Sequence, residues 1–221
     1  PKQYIEAAGR PVLAWCLESF EKSSVSNCII VCGSGDEEYV REHIVKRYSF
    51  SKVTDIVAGG SERYYSVLNG LRAAASYGCS HILIHDGARP YITPAGIDMM
   101  IAEVLRYGAA VAAAPAKDTI KIADDDGFVL MTTDRAHTWQ IQTPQCFRYD
   151  LIMEAYEKIV GTESADKAGA PGIPVTDDAM VFESAFPHMK IKLVDLKEEN
   201  SKVTTKDDLE YMKWRLTELQ R

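Results

Sequence analysis

Short apolar runs alternate along the chain with longer amphipathic stretches. The apolar runs have the length and β-branched content of buried strands, and they lie at 27–33, 53–57, 81–85 and 109–114. The amphipathic stretches repeat apolar residues at helical spacing, and they lie at 11–20, 36–48, 63–76 and 93–107. This strand–helix–strand repetition predicts a doubly wound α/β fold, in which a mostly parallel sheet carries helices on both faces.

The pattern changes after Pro115. Two alternating runs, 119–123 and 128–132, flank the turn Asp124–Gly127, which is typical of a β-hairpin. A two-stranded ribbon is only marginally stable alone, so we expect it to pack on something else, such as another subunit. The rest of the pattern predicts helices at 149–160, 176–182 and 205–221, a loop at 163–171 and a strand at 189–196. No linker is evident, so residues 1–221 are predicted to form one domain.

Capping residues mark the starts of two predicted helices. Thr205 and Asp208 have the spacing of a capping box. Asp36 is a candidate N-cap for the helix at 36–48.

The chain has 221 residues, a formal net charge of −7 and five cysteines. The acidic balance argues against broad binding to nucleic acid or to an anionic membrane, although a local Lys/Arg cluster can still hold an anionic substrate. No apolar run approaches the roughly 20 residues that span a bilayer. The cysteines have neither zinc-site spacing nor a redox CxxC motif, which predicts free thiols and a cytoplasmic location.

Ligands of open α/β sheets bind beyond the carboxyl ends of the strands. Four predicted loops lie there, at 58–66, 85–90, 115–119 and 198–204. The GxGxxG and GxxxxGK[ST] motifs are absent, as is any recognisable nucleophile motif, which disfavours dehydrogenases and P-loop enzymes. The pattern therefore favours an α/β protein that binds a phosphorylated ligand by another arrangement.

Two of these loops carry the sharpest candidates. Gly59 and Gly60 allow close backbone approach to a flat ligand, with Ser66 as a hydrogen-bond donor, or they form a simple βα turn. Asp86 follows a buried strand and is suited to hold Mg²⁺, with Arg89 facing a phosphate; alternatively, the two form a structural ion pair. His85 is interpreted as a packed core histidine.

The other candidates are isolated polar residues. Lys2, Arg135, Thr143 and Lys202 are suited to phosphate oxygens, and the sequence places Arg135 and Thr143 in loops. The segment Thr176–Asp178 looks like a helix N-cap. Each of these residues alone is also compatible with an ordinary exposed or structural position.

Taken together, nine short blocks in register resemble the 2-C-methyl-D-erythritol 4-phosphate cytidylyltransferases. They lie at 1–4, 59–67, 85–90, 117–119, 134–135, 139, 143–147, 176–179 and 200–204. The resemblance implies a Rossmann-like nucleotidyltransferase that joins the cytidylyl group of CTP to methylerythritol phosphate with Mg²⁺ and releases pyrophosphate. It also implies a homodimer, with the β-arm at 118–136 reaching into the neighbouring subunit.

The resemblance implies a role for each matching residue. Lys2 stabilises charge at the α-phosphate, Gly59, Gly60 and Ser66 hold the cytosine, and Asp86 and Arg89 lie beside the sugar, the metal and the substrate. The residues implied to hold methylerythritol phosphate are Thr119, Arg135, Thr143, Thr176 and Lys202, with Arg135 and Lys202 aiming its phosphate.

The sequence departs from the family pattern at its beginning and at Ser61, where some relatives carry Asp, and the resemblance leaves two alternatives. The family begins with a strand and a glycine-rich loop that holds the triphosphate, and here the sequence begins at Pro1, so we expect that loop to be missing from this sequence. A ribitol-5-phosphate cytidylyltransferase has the same chemistry with another polyol phosphate. A non-catalytic nucleotide-binding module on the same fold is the alternative from another class.

Overall fold

The computed structural model describes residues 2–161 and 175–219 of the chain. The loop predicted at 163–171 and the family's glycine-rich loop lie outside the described residues. The principal helices are α1 (Val12–Lys22), α2 (Glu37–Val40), α3 (Arg63–Ala74), α4 (Pro94–Tyr107), α5 (Tyr149–Ile159), α6 (Asp178–Ala185) and α7 (Lys206–Leu219). The strands are β1 (Glu6–Ala7), β2 (Arg10–Pro11), β3 (Cys28–Cys32), β4 (Val53–Ala58), β5 (His81–Ile84), β6 (Ala109–Pro115), β7 (Lys121–Ala123), β8 (Val129–Thr132), β9 (Trp139–Arg148) and β10 (Lys192–Val194).

The main sheet has the strand order β10-β6-β9-β5. β10 is parallel to β6, and β9 is antiparallel to both β6 and β5, so β5, β6 and β10 run in the same direction. β3 and β4 form a separate parallel pair. A cavity of about 1040 Å³, lined by residues of β3 and β5, lies between this pair and the main sheet. The predicted α/β fold with a mostly parallel sheet is confirmed.

Strand β9 is the longest element that the sequence pattern did not predict. Polar residues and Pro144 interrupt its apolar pattern, and proline is unusual inside a sheet, so the sequence indicated a loop around Thr143. That placement was wrong, because Thr143 and Gln145 lie within β9 and are 4% and 1% exposed. Gln145 stays buried because its amide donates to Asp177 Oδ2 at 3.1 Å and accepts from the backbone N–H of Ala179 at 2.7 Å.

Helices cover both faces of the main sheet, as the strand–helix alternation predicts. In β6, Ala110 and Ala112 pack with α1 and α4, whereas Ala109 and Val111 pack with α3, α5 and α6. The same alternation places Cys146 of β9 on the face that packs with α1 and α4. The next residue, Phe147, lies on the opposite face, where it stacks on Phe182 of α6 with ring centroids 5.1 Å apart.

The helix starts largely follow the capping signals. Thr205 accepts from the N–H of Asp208 at 3.1 Å, and Asp208 accepts from the N–H of Thr205 at 2.7 Å, so the predicted capping box is confirmed. Asp36 lies at the predicted N-cap position of α2, but its carboxylate makes no capping hydrogen bond and accepts one from Tyr4 instead. The helix that follows it continues beyond α2 as a π-helical turn, Arg41–Lys46.

The predicted hairpin is present as β7 and β8, which pair antiparallel. Its apolar residues are exposed, with Phe128 at 72%, Leu130 at 65%, Val129 at 60% and Met131 at 56%. Its use as a dimerisation arm stays a prediction. Within the described residues, no helix is long and apolar enough to cross a membrane.

Candidate active site

The loop after β4 forms a small pocket with the loop after β3. Gly59 and Gly60 lie beside Ser66, whose hydroxyl accepts from the N–H of Gly60 at 3.1 Å and donates to the carbonyl of Glu62 at 3.1 Å. A side chain at either glycine would force its neighbours to move, because a Cβ would lie 2.7 Å from Ser66 Oγ at Gly59 and 2.4 Å from Tyr65 Cβ at Gly60. The pocket encloses about 490 Å³ and is also lined by Gly33 and Ser34, which the sequence analysis did not single out.

Asp86, directly beyond β5, is surrounded by cations. Its Oδ2 lies 2.9 Å from Lys202 Nζ and 3.6 Å from Arg89 Nε, and its Oδ1 lies 3.5 Å from Arg63 Nε. Burial raises the pKa of this carboxyl, but Lys202, Arg63 and Arg89 together outweigh burial and hold the pKa below its ordinary value. Asp86 is therefore a carboxylate at neutral pH, inside a local cluster of positive charge on an acidic protein.

A buried hydrogen-bond network behind Asp86 fixes its neighbours. The side-chain amide of Asn200, which is 1% exposed, donates to the backbone carbonyl of Thr143 at 2.7 Å, and the backbone carbonyl of Asn200 accepts from Arg89 Nη1 at 2.8 Å. Thr143 Oγ1 accepts from the N–H of Asp86 at 3.1 Å. The network explains how Thr143, on a buried strand, comes to lie next to a residue 57 positions earlier.

His85 belongs to this network as a structural residue, as the sequence analysis proposed. One ring nitrogen lies 3.0 Å from Thr143 Oγ1, and the other lies 3.3 Å from the carbonyl of Arg89. Burial lowers the pKa of His85 to about 4, so the ring is neutral at physiological pH. A neutral imidazole held on both sides orients Thr143 and Arg89 and is not available as an acid–base group.

The structure brings Lys2 to the same side of the fold as Lys202. Lys2 Nζ donates to the carbonyl of Thr204 at 2.5 Å, two residues beyond Lys202. Both lysines are exposed. Because exposed ammonium groups near a cleft are free to reorient, both lysines can turn towards an anionic ligand.

Thr119, Arg135 and Thr176 are not joined to this cluster by any hydrogen bond or ion pair within residues 2–161 and 175–219. All three are exposed. Thr119 and Arg135 flank the hairpin, and Thr176 directly precedes the N-cap of α6, where its hydroxyl lies 3.5 Å from Met180 Sδ. The N-cap predicted in Thr176–Asp178 is confirmed, since Asp177 accepts from the N–H of Met180 at 2.9 Å.

Sequence reasoning assigned no role in the site to Arg63, which contacts Asp86, or to Asp178 and Tyr156, which lie behind Arg63. Arg63, which lies inside the resembling block 59–67, contacts Asp86 and makes a two-pronged ion pair with Asp178. Tyr156 donates to the same carboxylate. The position of Arg63 between Gly60 and Ser66 was a sequence signal for a role in the site. Asp178 and Tyr156 lie far from these residues in sequence, so no local pattern pointed to them.

The donor set limits the kind of metal site that Asp86 can provide. Among the described residues, no group of three or more His, Cys, Asp or Glu side chains is placed to hold a metal ion. Mg²⁺ commonly binds through one or two protein carboxylates, with phosphates and water as its other ligands. A single carboxylate therefore fits Mg²⁺ bound together with a phosphorylated ligand, and does not fit a structural metal centre.

The comparisons with known proteins agree on one family. The family model of 2-C-methyl-D-erythritol 4-phosphate cytidylyltransferase matches residues 1–218. The curated protein of that name from Lachnoclostridium phytofermentans is 42% identical over 208 residues, which cover 94% of this chain and 84% of that protein. The one from Alkaliphilus oremlandii is 43% identical over 209 residues, which cover 94% and 84%.

Solved structures show the same likeness. 4-Diphosphocytidyl-2C-methyl-D-erythritol synthase from Anaerococcus prevotii has a TM-score of 0.84 and 31% identity, and the match covers 99% of this chain and 93% of that one. The 2-C-methyl-D-erythritol 4-phosphate cytidylyltransferase structure from Thermus thermophilus has a TM-score of 0.74 at 24% identity, covering 98% and 94%, and shows a shared fold.

Proposed function

Because the chain belongs to the 2-C-methyl-D-erythritol 4-phosphate cytidylyltransferase family, we propose that its reaction takes place at the carboxyl ends of β4 and β5. The enzyme is a nucleotidyltransferase that transfers the cytidylyl group of CTP to 2-C-methyl-D-erythritol 4-phosphate. The ribitol-5-phosphate alternative is not favoured by the names of these relatives. The observation that carries the placement is Asp86 within its cluster of Lys202, Arg63 and Arg89, next to the glycine pocket.

The glycine pocket is the proposed cytosine site. Gly59, Gly60 and Ser66 line the pocket, and the two glycines let the turn pack tightly against Ser66 and Tyr65 at the start of α3. The N–H groups of Gly59 and Gly60 already donate to the Cys32 carbonyl and to Ser66 Oγ, which fixes the loop, so its backbone carbonyls are the acceptors it can offer to the amino group of cytosine. This is the pattern expected where a base is recognised mainly by main-chain atoms.

The chemistry needs no covalent bond to the protein. An oxygen of the methylerythritol phosphate attacks the α-phosphorus of CTP in line; the new P–O bond forms as the bond to the β-phosphate breaks, and pyrophosphate leaves. The protein contributes positioning and charge neutralisation. We assign Lys2 to the α-phosphate, Arg89 to the nucleotide side of the cluster and Lys202 to the phosphate of the second substrate.

Asp86 is the proposed protein ligand of Mg²⁺. The carboxylate is ionised and its side chain is only 15% exposed. Lys202, which contacts Oδ2, has an exposed side chain that can move away and leave this oxygen to another cation. Bound Mg²⁺ would supply additional positive charge to the triphosphate. Arg63 and Arg89 would hold the carboxylate in place for that ligation.

The second substrate's site is proposed to be completed by a partner subunit. Thr119 and Arg135 flank an exposed apolar hairpin and are not joined to the Asp86 cluster by the contacts among described residues. A hairpin that buries its apolar residues on a second copy would carry both side chains to the partner's cluster. This would account for exposed Phe128 and Leu130 and for a homodimer. The five free cysteines support a cytoplasmic location.

Pyrophosphate release tests the proposed function directly. With CTP and Mg²⁺, we expect turnover on 2-C-methyl-D-erythritol 4-phosphate and at most trace turnover on ribitol 5-phosphate. Asp86→Asn keeps the side-chain shape but loses a charge that faces three cations, so kcat/KM should fall about 10- to 150-fold. Turnover only on ribitol 5-phosphate, or full activity of Asp86→Asn, would contradict the substrate or the site, respectively.

A further inference from the structure

Asp178 is a buried carboxylate that the proposed reaction does not use. It is 0% exposed at the start of α6. Its Oδ1 accepts from Arg63 Nη1 at 3.0 Å and its Oδ2 from Arg63 Nη2 at 2.8 Å. The hydroxyl of Tyr156, also 0% exposed, donates to Oδ1 at 2.5 Å. The position of this carboxylate is thus fixed by packing and by three donors.

The pairing fixes the orientation of the whole Arg63 guanidinium group. The group is planar and rigid, so holding its Nη1 and Nη2 edge also sets the direction of its Nε. That Nε lies 3.5 Å from Oδ1 of Asp86, whose Oδ2 lies 2.9 Å from Lys202. Arg63 therefore lies between two carboxylates, one fully buried and one at the active site.

Stability alone does not explain such a pair. Replacing a buried ion pair with apolar residues of similar volume is often neutral or stabilising, because burying the charges costs more than their attraction returns. Here the pair joins residues 115 positions apart, at the beginnings of α3 and α6. Helix α3 also carries Ser66 of the proposed cytosine site, and Thr176 of the proposed second-substrate site precedes α6.

We propose that Arg63 is a positioning residue for Asp86 and that Asp178 and Tyr156 hold it in place for that purpose. The proposal rests on the role of Asp86 in the proposed function. Arg63 fixes Oδ1 of Asp86 and leaves Oδ2 directed towards Lys202 and the metal–nucleotide side. Through Asp178 the same contact keeps the beginnings of α3 and α6, and with them the two substrate sites, in a fixed relation.

The first experiment uses conservative variants with steady-state kinetics and Mg²⁺ titration. Arg63→Lys keeps the charge but cannot reach both carboxylates, so kcat should fall at least about tenfold and half-saturation should need more Mg²⁺. Tyr156→Phe keeps both contacts between Arg63 and Asp178 and removes only the hydrogen bond from Tyr156. It should therefore lower kcat and raise the Mg²⁺ requirement by less than Arg63→Lys does. Arg10→Lys is the matched control, since Arg10 is also a partly buried arginine in an ion pair, with Glu18. Its kcat and Mg²⁺ requirement should match the wild type.

The second experiment separates positioning from stability. Arg63→Met leaves the buried Asp178 carboxylate without a cation, and Asp178→Leu leaves the Arg63 guanidinium with Asp86 as its remaining carboxylate partner, so each single variant should lower the melting temperature. The double variant, made in a Tyr156→Phe background so that no buried hydroxyl is left without an acceptor, removes both charges and should recover the melting temperature. Its kcat should stay at least about tenfold low, because Arg63 no longer holds Oδ1 of Asp86. Recovery of both stability and kcat would show a purely structural pair and overturn the proposal. If the double variant does not fold, unchanged kcat and Mg²⁺ dependence in Arg63→Lys would overturn it equally.

Asp86→Asn distinguishes failure of this proposal from failure of the proposed function. If Asp86→Asn is inactive while Arg63→Lys has wild-type kinetics, Asp86 acts at the site without help from Arg63, and only the positioning role is wrong. If Asp86→Asn is fully active, the proposed role of Asp86 is wrong and the positioning role falls with it.

Discussion

Replacing Gly60 with alanine tests whether the backbone of the loop after β4 forms the cytosine site. The new Cβ would lie 2.4 Å from Tyr65 Cβ and 3.2 Å from the Tyr65 carbonyl carbon. Carbon atoms in good contact are about 3.5–4.0 Å apart, so the loop or the start of α3 must move by about 1 Å. Such a shift would also break the 3.1 Å hydrogen bond from the Gly60 N–H to Ser66 Oγ.

The cost of this change can be worked out from those contacts. Overpacking costs about 1–3 kcal/mol, and a lost hydrogen bond costs about 0.5–1.5 kcal/mol. If only about 1.4 kcal/mol of this appears in nucleotide binding, affinity falls about tenfold. We therefore expect Gly60→Ala to bind CTP at least about tenfold more weakly in a calorimetric titration with Mg²⁺.

Gly78→Ala is the control for a general loss of stability. Gly78 has a φ of +61°, and no atom lies within 4 Å of the position that a Cβ would take, so alanine there is strained but not crowded. The strain should cost about 1–2 kcal/mol in the free energy of unfolding and leave CTP affinity unchanged. A dissociation constant for Gly60→Ala within about threefold of wild type, which is less than half of the expected 1.4 kcal/mol, would refute the assignment of this loop to the base.

Three further predictions concern the second substrate, the subunit arrangement and the thiols. Lys202→Ala should lower kcat/KM for methylerythritol phosphate about 10- to 150-fold, the value of one charge-assisted contact, with CTP affinity nearly unchanged by calorimetry; equal losses for both substrates would exclude the assigned role. Lys2→Ala and Arg135→Ala should each be nearly inactive, and refolding them together should restore up to about a quarter of wild-type activity if the hairpins cross; no recovery despite proven subunit exchange would rule out crossing. Burial raises the pKa of Cys28 and Cys32 to about 11, so their alkylation should be slow at pH 8 and rise about tenfold per pH unit towards pH 11; rapid labelling at pH 7 in the folded protein, mapped by mass spectrometry, would contradict this.

The elements that sequence predicted best are those whose signal is local. The hairpin follows from strict alternation around Asp124–Gly127, and the start of α7 follows from Thr205 and Asp208, three positions apart. The glycine pair could be placed because a βα turn and a close ligand approach both require a missing side chain. In each case the physical cause lies within a few residues of the pattern.

The features that were missed depend on contacts between distant parts of the chain. β9 buries two polar residues, Thr143 and Gln145, and Gln145 is stable there because of hydrogen-bond partners such as Asp177, far away in the chain. Likewise, the sequence around Arg63 is typical of an exposed helix start, and only the folded structure brings Asp178 against this arginine. No local pattern carries that information, because hydrogen-bond satisfaction of a buried polar group is settled by tertiary structure.

The position of β9 in the main sheet has a consequence for folding during synthesis. In the main sheet β5 pairs with β9, with Ile84 opposite Gln145 and His81 opposite Arg148, about 60 residues later in the chain. At a synthesis rate of about 5–20 residues per second, β5 waits roughly 3–12 s for that partner to appear. During this interval a ribosome-bound chain carries an apolar strand with no ladder on the β9 side, which is a site for pairing with other chains. Completion of β9 is thus the step that pairs this edge of β5 and removes it as a site for pairing with other chains.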